Sequence, residues 1–323
     1  MIITVWVDDL LLFASSEEAM DKMVNQIKSE WQITDLGEPQ KIVGIEITMK
    51  DHVVTISQKK YIETILKKEG MEKLNPVSMP MDPNEMFEPN LDGEEGNRSN
   101  PYARLLGELQ FLSNATRPDI TFVVNKLASY TMNPSLKHIS AIKRILRYLA
   151  VTKDYSITYM DFTTHPNIFY RYADAAFGGD SEDCKSTAGY VFITGNGAIT
   201  WRSKKQTIIA LSTMEAEYVV LSEVSQEICW LRSLHNELGF KQKLPMLLWG
   251  DNEGAVAMTK DPQFHQQSKH INIKYQAICE WVVKGFVCIE SCQDQDQTAD
   301  ILTKPLPRVK HKKHVLEMGL SPV

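Results

Sequence analysis

The sequence contains few cysteines, no long hydrophobic run and no excess of basic residues. Its 5 cysteines form an odd set without a Cys-x-x-Cys pair, which argues against a disulfide scaffold and a zinc site. Reduced thiols are typical of a cytosolic or nuclear protein, and we expect that location. The longest apolar stretch, residues 5–13, is interrupted by Asp8 and Asp9 and is far shorter than the ~20 residues that span a bilayer. The sequence therefore predicts no membrane segment and no membrane partner.

The charge balance is slightly acidic. The chain has 35 Lys plus Arg against 41 Asp plus Glu, a formal net charge of −6. This balance argues against a protein that coats nucleic acid by bulk positive charge, although it permits a local basic patch. With 43% hydrophobic and 24% charged residues in 323, the composition is typical of a folded globular protein of two or three domains.

The N-terminal region alternates strand and helix patterns. Residues 2–7 and 10–13 are rich in β-branched and apolar residues and predict two strands that meet at Asp8 and Asp9. Ser15, with a glutamate three residues later, predicts a capped helix start. Because a strand with an acidic tip begins so close to residue 1, we expect that a preceding part of the protein is missing.

The middle of the chain predicts a linker and helices, and the last half predicts a sheet. Residues 75–100 are rich in proline and glycine, which predicts a linker or a long surface connection. Apolar residues at helical spacing predict three helices, over 101–115, 118–131 and 135–150. From residue 155 strands come first and then alternate with helices, a pattern typical of an α/β sheet with mixed pairing.

Acidic residues follow the strands and open the helices of this last region. Asp174 and Asp251 each follow a predicted strand, Glu217 lies in the first turns of a long helix, and Asp300 opens a short helical run. Carboxylates from separate elements can form an oxygen-rich site for Mg²⁺ or Mn²⁺, which two-metal phosphodiester hydrolysis requires. From the residues alone, solvated strand tips and helix caps remain the alternative interpretation.

Ordered runs cover most of this region: YADAAFGGD (172–180), KSTAGYVF (185–192), ITWRSKKQ (199–206), LSTMEAEYVVLS (211–222), GDNEGAV (250–256), SKHINIKY (268–275) and QTADILTKPL (297–306). Their order and spacing resemble the ribonuclease H domain of copia-type LTR retrotransposon Pol polyproteins. The earlier run VWVDDLLLFASS (5–16) resembles the active-site hairpin of a reverse transcriptase, with Trp6 where that family usually has tyrosine. Runs at 33–47, 56–66, 101–120 and 137–149 resemble the polymerase tail and connection of the same polyprotein.

The resemblance implies an α/β fold, a ribonuclease H-like mixed sheet flanked by helices. A partial reverse transcriptase palm of the α+β class and a helical connection would precede it. The implied domains are a truncated palm over 1–86, a thumb or connection over 87–160 and a ribonuclease H-like domain over 161–323.

The resemblance also implies a metal-dependent endonuclease that hydrolyses the RNA strand of RNA–DNA hybrids. The partner would be the hybrid, and the cofactors would be two Mg²⁺ or Mn²⁺ ions. Carried over residue by residue, Asp174, Glu217, Asp251 and Asp300 are the catalytic, metal-binding carboxylates. Glu215 is the neighbouring alternative to Glu217, which we prefer because it completes the AEY triplet of the family motif.

Asp8 and Asp9 resemble the paired metal-binding aspartates of a reverse transcriptase palm. That site needs a third carboxylate and nucleotide-binding fingers from an earlier part of the chain, so we expect no polymerase activity from this fragment. The missing N-terminal part of the polyprotein is an expected partner. An inactive transposon remnant with at most weak nucleic-acid binding is the alternative function.

Further residues are candidates for assisting catalysis or for contacting the substrate. Related nucleases often carry a mobile histidine shortly before the last aspartate, but residues 290–300 contain none, and a structural role is favoured for His270. The basic run 304–314 favours either steering of a nucleic-acid backbone or a solvated tail. Donors, cations and one aromatic near the predicted strands are candidate substrate contacts, namely Lys185, Ser186, Thr187, Trp201, Lys204 and Lys205.

Overall fold

A computed structural model describes residues 1–71, 75–90, 101–160, 169–179, 183–242, 244–260 and 272–322. The elements of the first half are β1 Ile2–Trp6, β2 Asp9–Phe13, α1 Glu17–Glu30, β3 Lys41–Ile42, β4 Ile45–Lys50, β5 Val53–Ser57, α2 Lys59–Lys68, α3 Tyr102–Ala115, α4 Thr121–Ala128, α5 Leu136–Val151 and β6 Tyr155–Tyr159. Those of the second half are β7 Tyr170–Ala176, β8 Thr187–Thr194, β9 Gly197–Lys205, α6 Thr213–Glu237, β10 Met246–Gly250, α7 Glu253–Lys260, α8 Asn272–Val283, β11 Val287–Ser291, α9 Arg308–Glu317 and β12 Leu320–Pro322.

The predicted N-terminal hairpin is present. Strands β1 and β2 pair antiparallel, with Trp6 opposite Asp9. Helix α1 begins one residue later than the sequence pattern indicated, because the hydroxyl of Ser16 accepts a hydrogen bond from the backbone N–H of Ala19 at 3.2 Å. Ser16, and not Ser15, is therefore the N-cap.

Helices α2 to α5 form one apolar core, which we call the helical unit. Leu109 and Leu112, in the predicted apolar stripe of α3, are fully buried there. The first part of the predicted linker also packs against it. Phe87 is buried in this core, and the hydroxyl of Tyr130 donates to its carbonyl oxygen at 3.0 Å. The described residues 75–90 are therefore a surface connection that is anchored to this core at Met81 and Phe87.

A buried ion pair joins the helical unit to the C-terminal helix. The side chains of Arg117 and Asp119 are 0% exposed and form two parallel hydrogen bonds, at 2.9 and 2.7 Å. The hydroxyl of Tyr148 donates to the same carboxylate at 2.6 Å. The ring of His311, on α9, lies edge-on to that of Tyr148, with 5.7 Å between centroids. This junction fixes where α9 lies.

One five-stranded sheet is antiparallel throughout and has the order β12-β6-β5-β4-β3. It takes β3, β4 and β5 from the segment 1–86, β6 from 87–160 and β12 from 161–323. The division of the chain into those three domains stays a prediction. The pairing of β12 with β6 holds the end of the chain against its middle.

The second five-stranded sheet has the order β11-β10-β7-β8-β9. Strand β10 is parallel to both β11 and β7, whereas β7, β8 and β9 pair antiparallel. This is the mixed pairing that the sequence predicts. Helix α6 packs on the sheet through buried residues that include Val220, Val224 and Ile228. Because β7 and β10 are parallel, their carboxyl ends lie at one edge of the sheet.

A glycine lets a short 3₁₀ segment, Thr298–Leu302, lie directly on β8. A Cβ atom at Gly189 would lie 2.6 Å from Cγ2 of Thr303 and 2.9 Å from Cβ of Leu302, so only glycine permits this approach. Gly189 is also the register partner of Asp174 on β7. The close approach therefore brings the 3₁₀ segment and Thr303 next to Asp174. In the described part of the chain, no helix has the length and apolarity needed to cross a membrane.

Candidate metal centre

Four elements deliver the predicted carboxylates to the same edge of the sheet. Asp174 lies within β7, Asp251 directly follows β10, and Asp300 lies in the 3₁₀ segment. Glu217 comes from the first turns of α6, which Ser212 caps by accepting the backbone N–H of Glu215 at 3.1 Å. The helix start thereby sets the direction in which Glu217 projects.

Carboxylate oxygens of Asp174, Glu217 and Asp251 lie within 4.8 Å of one another. A second group, Asp251, Asp294 and Asp300, meets the same limit. Asp251 belongs to both groups, so the four predicted acids and Asp294 form one acidic cluster. Glu215 lies elsewhere, since its Oε2 accepts the backbone N–H of Leu211 at 2.8 Å at the start of the helix.

Three acids of the cluster are withdrawn from water, whereas Asp251 is half-buried and Asp294 is exposed. Asp174 is 1% exposed, Glu217 3% and Asp300 0%. Burial raises the pKa of Glu217, and the charges of Asp174 and Asp251 raise it further. Burial also raises the pKa of Asp174, and Asp300 and Asp251 add to this, whereas Lys304 lowers it. Like charges so close together favour either protonation or a bound cation.

The hydrogen bonds of the cluster leave acceptor atoms available. Oε1 of Glu217 accepts the backbone N–H of Ala175 at 3.0 Å. Oε2 of Glu217 is buried and accepts no hydrogen bond from the described residues. The hydroxyl of Thr303 donates to Asp174. A buried set of hard oxygen donors with one such unused acceptor fits Mg²⁺ or Mn²⁺.

Two lysines that sequence reasoning did not assign to this centre contact it. Nζ of Lys304 lies 2.7 Å from Asp300 and 3.9 Å from Asp174. Nζ of Lys310 lies 2.5 Å from Asp300 and 3.0 Å from Asp294. The spacing of four residues between Asp300 and Lys304 is a signal that the sequence contains. Lys310 reaches the centre only because α9 packs where it does.

Comparisons with known proteins agree with the resemblance. The sequence model of the family described as reverse transcriptase (RNA-dependent DNA polymerase) matches residues 1–83. The chain is 34% identical to the retrovirus-related Pol polyprotein from transposon RE1 of Arabidopsis thaliana over 99% of its own length. It is 30% identical to an uncharacterized mitochondrial protein of Arabidopsis thaliana over 71% of its length and 94% of that protein. It is also 30% identical to the putative transposon Ty5-1 protein of Saccharomyces cerevisiae, over 70% of its length and 73% of that protein. The chain belongs to the copia-type retrotransposon Pol family.

This Pol chain spans 22% of the RE1 polyprotein and 24% of the related polyprotein from transposon TNT 1-94 of Nicotiana tabacum, to which it is 33% identical. Among solved structures, the match to LC11-RNase H1 isolated from compost covers 42% of this chain and 93% of the LC11-RNase H1 chain, at 15% identity and a TM-score of 0.32. The match to the foamy viral protease-reverse transcriptase in complex with RNA/DNA hybrid covers 90% of this chain and 36% of the viral chain, at 11% identity and a TM-score of 0.48. The Pol chain combines a segment that matches the reverse transcriptase family, residues 1–83, with a mixed α/β sheet in its second half.

The two aspartates of the Pol hairpin lie apart from the acidic cluster. Asp8 lies in the turn between β1 and β2, Asp9 begins β2, and both are exposed. Neither belongs to a group of three or more metal-ligating side chains among the described residues. Their assignment to a polymerase site stays a prediction. His270 falls outside the described residues.

The candidate substrate contacts have different surroundings. The indole N–H of Trp201 donates to the carbonyl of Ser113 at 2.8 Å, so this ring packs against the helical unit. The hydroxyl of Ser186 is buried and accepts the backbone N–H of Gly178 at 3.2 Å. Lys185 and Lys205 pair with Asp183, at 3.3 and 3.4 Å. Thr187 is the first residue of β8. Lys204 lines a surface groove with Arg202 and Trp230. A substrate role for these residues stays a prediction.

We expect the Glu217→Gln variant to be more stable than the native chain at alkaline pH in the presence of a chelator. The pKa of Glu217 is higher in the folded state than in the unfolded state. At a pH above the ordinary carboxyl pKa of about 4.3, the folded chain therefore binds more protons than the unfolded chain. By linkage, the free energy of unfolding falls as the pH rises through this range, by about 1.4 kcal/mol for each pH unit over which only the folded state keeps the proton. Glutamine removes this loss and keeps an oxygen for the N–H of Ala175.

The measurement is urea unfolding at pH 5, 7 and 9. The control is Glu237→Gln, an exposed position on the same helix, which should leave the pH dependence unchanged. Equal pH dependence in the native chain and Glu217→Gln would contradict the expectation.

Proposed function

We propose that the C-terminal half of this Pol chain is a metal-dependent endonuclease that hydrolyses the RNA strand of RNA–DNA hybrids. The observation that carries this proposal is the convergence of Asp174, Glu217 and Asp251 within 4.8 Å, with Asp300 in the adjoining group. These are the acids that the family resemblance assigns to hydrolysis. A chance set of acids from separate elements would not be expected to converge with Asp174, Glu217 and Asp300 buried.

Two divalent ions would be held by this cluster. Asp174, Glu217 and Asp251 are the proposed ligands of one, and Asp251 with Asp300 would take part in holding the other. When bound, such ions lower the pKa of a water molecule and stabilise charge on the leaving oxygen. Burial keeps the carboxylates away from bulk water, and the N–H of Ala175 and hydroxyl of Thr303 fix the orientation of Glu217 and Asp174.

We propose RNA as the strand that is cut because its 2′-hydroxyl distinguishes it from DNA. The family resemblance is the reason for proposing an RNA–DNA hybrid as the substrate. Arg202 and Lys204 lie on β9 and line a surface groove, where they would supply cations for phosphate contacts. The net charge of −6 makes such local contacts necessary, since the chain as a whole repels nucleic acid.

For the N-terminal part, we propose that Asp8 and Asp9 are remnants of a polymerase metal site that need the preceding part of the polyprotein. The match of residues 1–83 to the reverse transcriptase family supports this assignment. We propose no nucleotidyl transfer by this chain alone.

The test is incubation of the purified chain with a hybrid labelled on each strand in turn, in Mg²⁺ or Mn²⁺. We expect metal-dependent cutting of the RNA strand only. The same RNA in a duplex with RNA and the same DNA in a duplex with DNA are the controls. A folded chain that cuts no substrate in either metal would contradict the proposal and favour an inactive transposon remnant.

A further inference from the structure

Two ammonium groups lie against the acidic cluster, and the proposed hydrolysis assigns them no task. Lys304 contacts both Asp300 and Asp174, at 2.7 and 3.9 Å. Lys310 contacts Asp300 and Asp294 but is not paired with Asp174. Lys304 therefore bridges two proposed metal ligands that come from different elements, and Lys310 contacts the outer side of one of them.

The backbone holds both lysines in place. Lys304 directly follows the 3₁₀ segment, and its backbone N–H donates to the carbonyl of Asp300 at 3.1 Å. Lys310 lies in the first turn of α9, next to His311, which is buried against Tyr148. The side chain of Lys304 is 38% exposed, so its ammonium has room to move toward solvent.

The surroundings keep Lys304 charged. Burial lowers its pKa, but the charges of Asp174 and Asp300 outweigh this, and the net pKa is raised. A charged ammonium at these distances partly neutralises two buried carboxylates. It also repels a divalent ion that approaches the same oxygens.

We propose that Lys304 is a resident counter-cation that competes with the divalent ions for Asp174 and Asp300. This inference rests on the proposed function, since it concerns the same carboxylates. Before metal binds, the ammonium stabilises the acidic cluster. When these ions bind, the ammonium leaves both oxygens and turns toward the open side of the site. Lys304 thus raises the metal concentration at which the site fills.

The test is calorimetric titration with Mn²⁺ alone, at pH 8, of the native chain, Lys304→Met and Lys304→Arg. We expect Lys304→Met to bind at least one Mn²⁺ about tenfold more tightly than the native chain. Lys304→Arg keeps the charge and should bind within about twofold of the native chain. The matched control is Lys313→Met on α9, because Lys313 pairs with Asp296 and Glu317 outside the cluster.

A second measurement separates competition from a merely structural role. In chelator, we expect Lys304→Met to melt at a lower temperature than the native chain, and saturating Mn²⁺ should remove that difference. Should Lys304→Met fail to fold, Lys304→Gln provides the same comparison with a polar side chain.

Native Mn²⁺ binding with equal or weaker binding by Lys304→Met would overturn the competition and leave the proposed function standing. A native chain that binds no Mn²⁺ would overturn both.

Discussion

We expect Asp174→Asn to reduce cleavage of the RNA strand by at least about 10³-fold, which corresponds to roughly 4 kcal/mol of transition-state stabilisation. Asp174 is 1% exposed and lies within 4.8 Å of both Glu217 and Asp251, so it is central to the proposed ion site. Asparagine keeps the shape of the side chain and one oxygen but removes the negative charge. The loss of activity would therefore result from the missing negative charge and not from a change of packing.

Asp251→Asn should cause a loss of similar size, because Asp251 belongs to both groups of the acidic cluster. The matched control is Asp296→Asn, the same chemical change at an exposed residue that pairs with Lys313 at 2.6 Å. It should keep activity within about twofold of the native chain. The measurement is single-turnover cleavage of a labelled hybrid in saturating Mg²⁺. Activity retained in a folded Asp174→Asn chain would remove this residue from the reaction.

The second large effect concerns stability. We expect Arg117→Met to lower the free energy of unfolding by about 3–5 kcal/mol, because it leaves the carboxylate of Asp119 buried without its ion partner. Arg117 also donates to the carbonyl of Thr152 at 3.1 Å, so the change breaks the connection between the start of α4 and the end of α5. The measurement is urea unfolding followed by circular dichroism.

Two variants complete this experiment. Arg308→Met removes an exposed arginine at the start of α9 and should change stability by less than about 0.5 kcal/mol. The double variant Arg117→Met, Asp119→Leu removes both buried charges and should recover part of the loss, since no unpaired carboxylate remains. A loss from Arg117→Met no larger than that from Arg308→Met would show that the buried pair contributes little.

Much of the fold could be predicted from the sequence because the relevant signals are local. Apolar residues at helical spacing placed α3 and α5 within one residue of their observed bounds. The N-cap of α1 was predicted wrongly because two adjacent serines could each cap the helix. Ser15 and Ser16 are chemically equal as caps, and only the backbone geometry of Ser16 decides between them.

The amino-acid sequence alone was enough to identify which acids are candidates and which elements carry them. The order of strands and helices, together with the family motifs, led to Asp174, Glu217, Asp251 and Asp300. Which other groups meet these acids depends on tertiary packing. Lys304 and Lys310 enter the cluster because the 3₁₀ segment lies on Gly189 and because α9 is anchored at the buried Arg117 pair.

Other long-range contacts in the chain also depend on tertiary packing and could not be predicted from local patterns. The indole N–H of Trp201 donates to the carbonyl of Ser113, 88 residues earlier. β12 pairs with β6, although more than 150 residues lie between them. Periodicity and capping depend on neighbours along the chain, whereas such contacts depend on how whole elements pack, which no local pattern records.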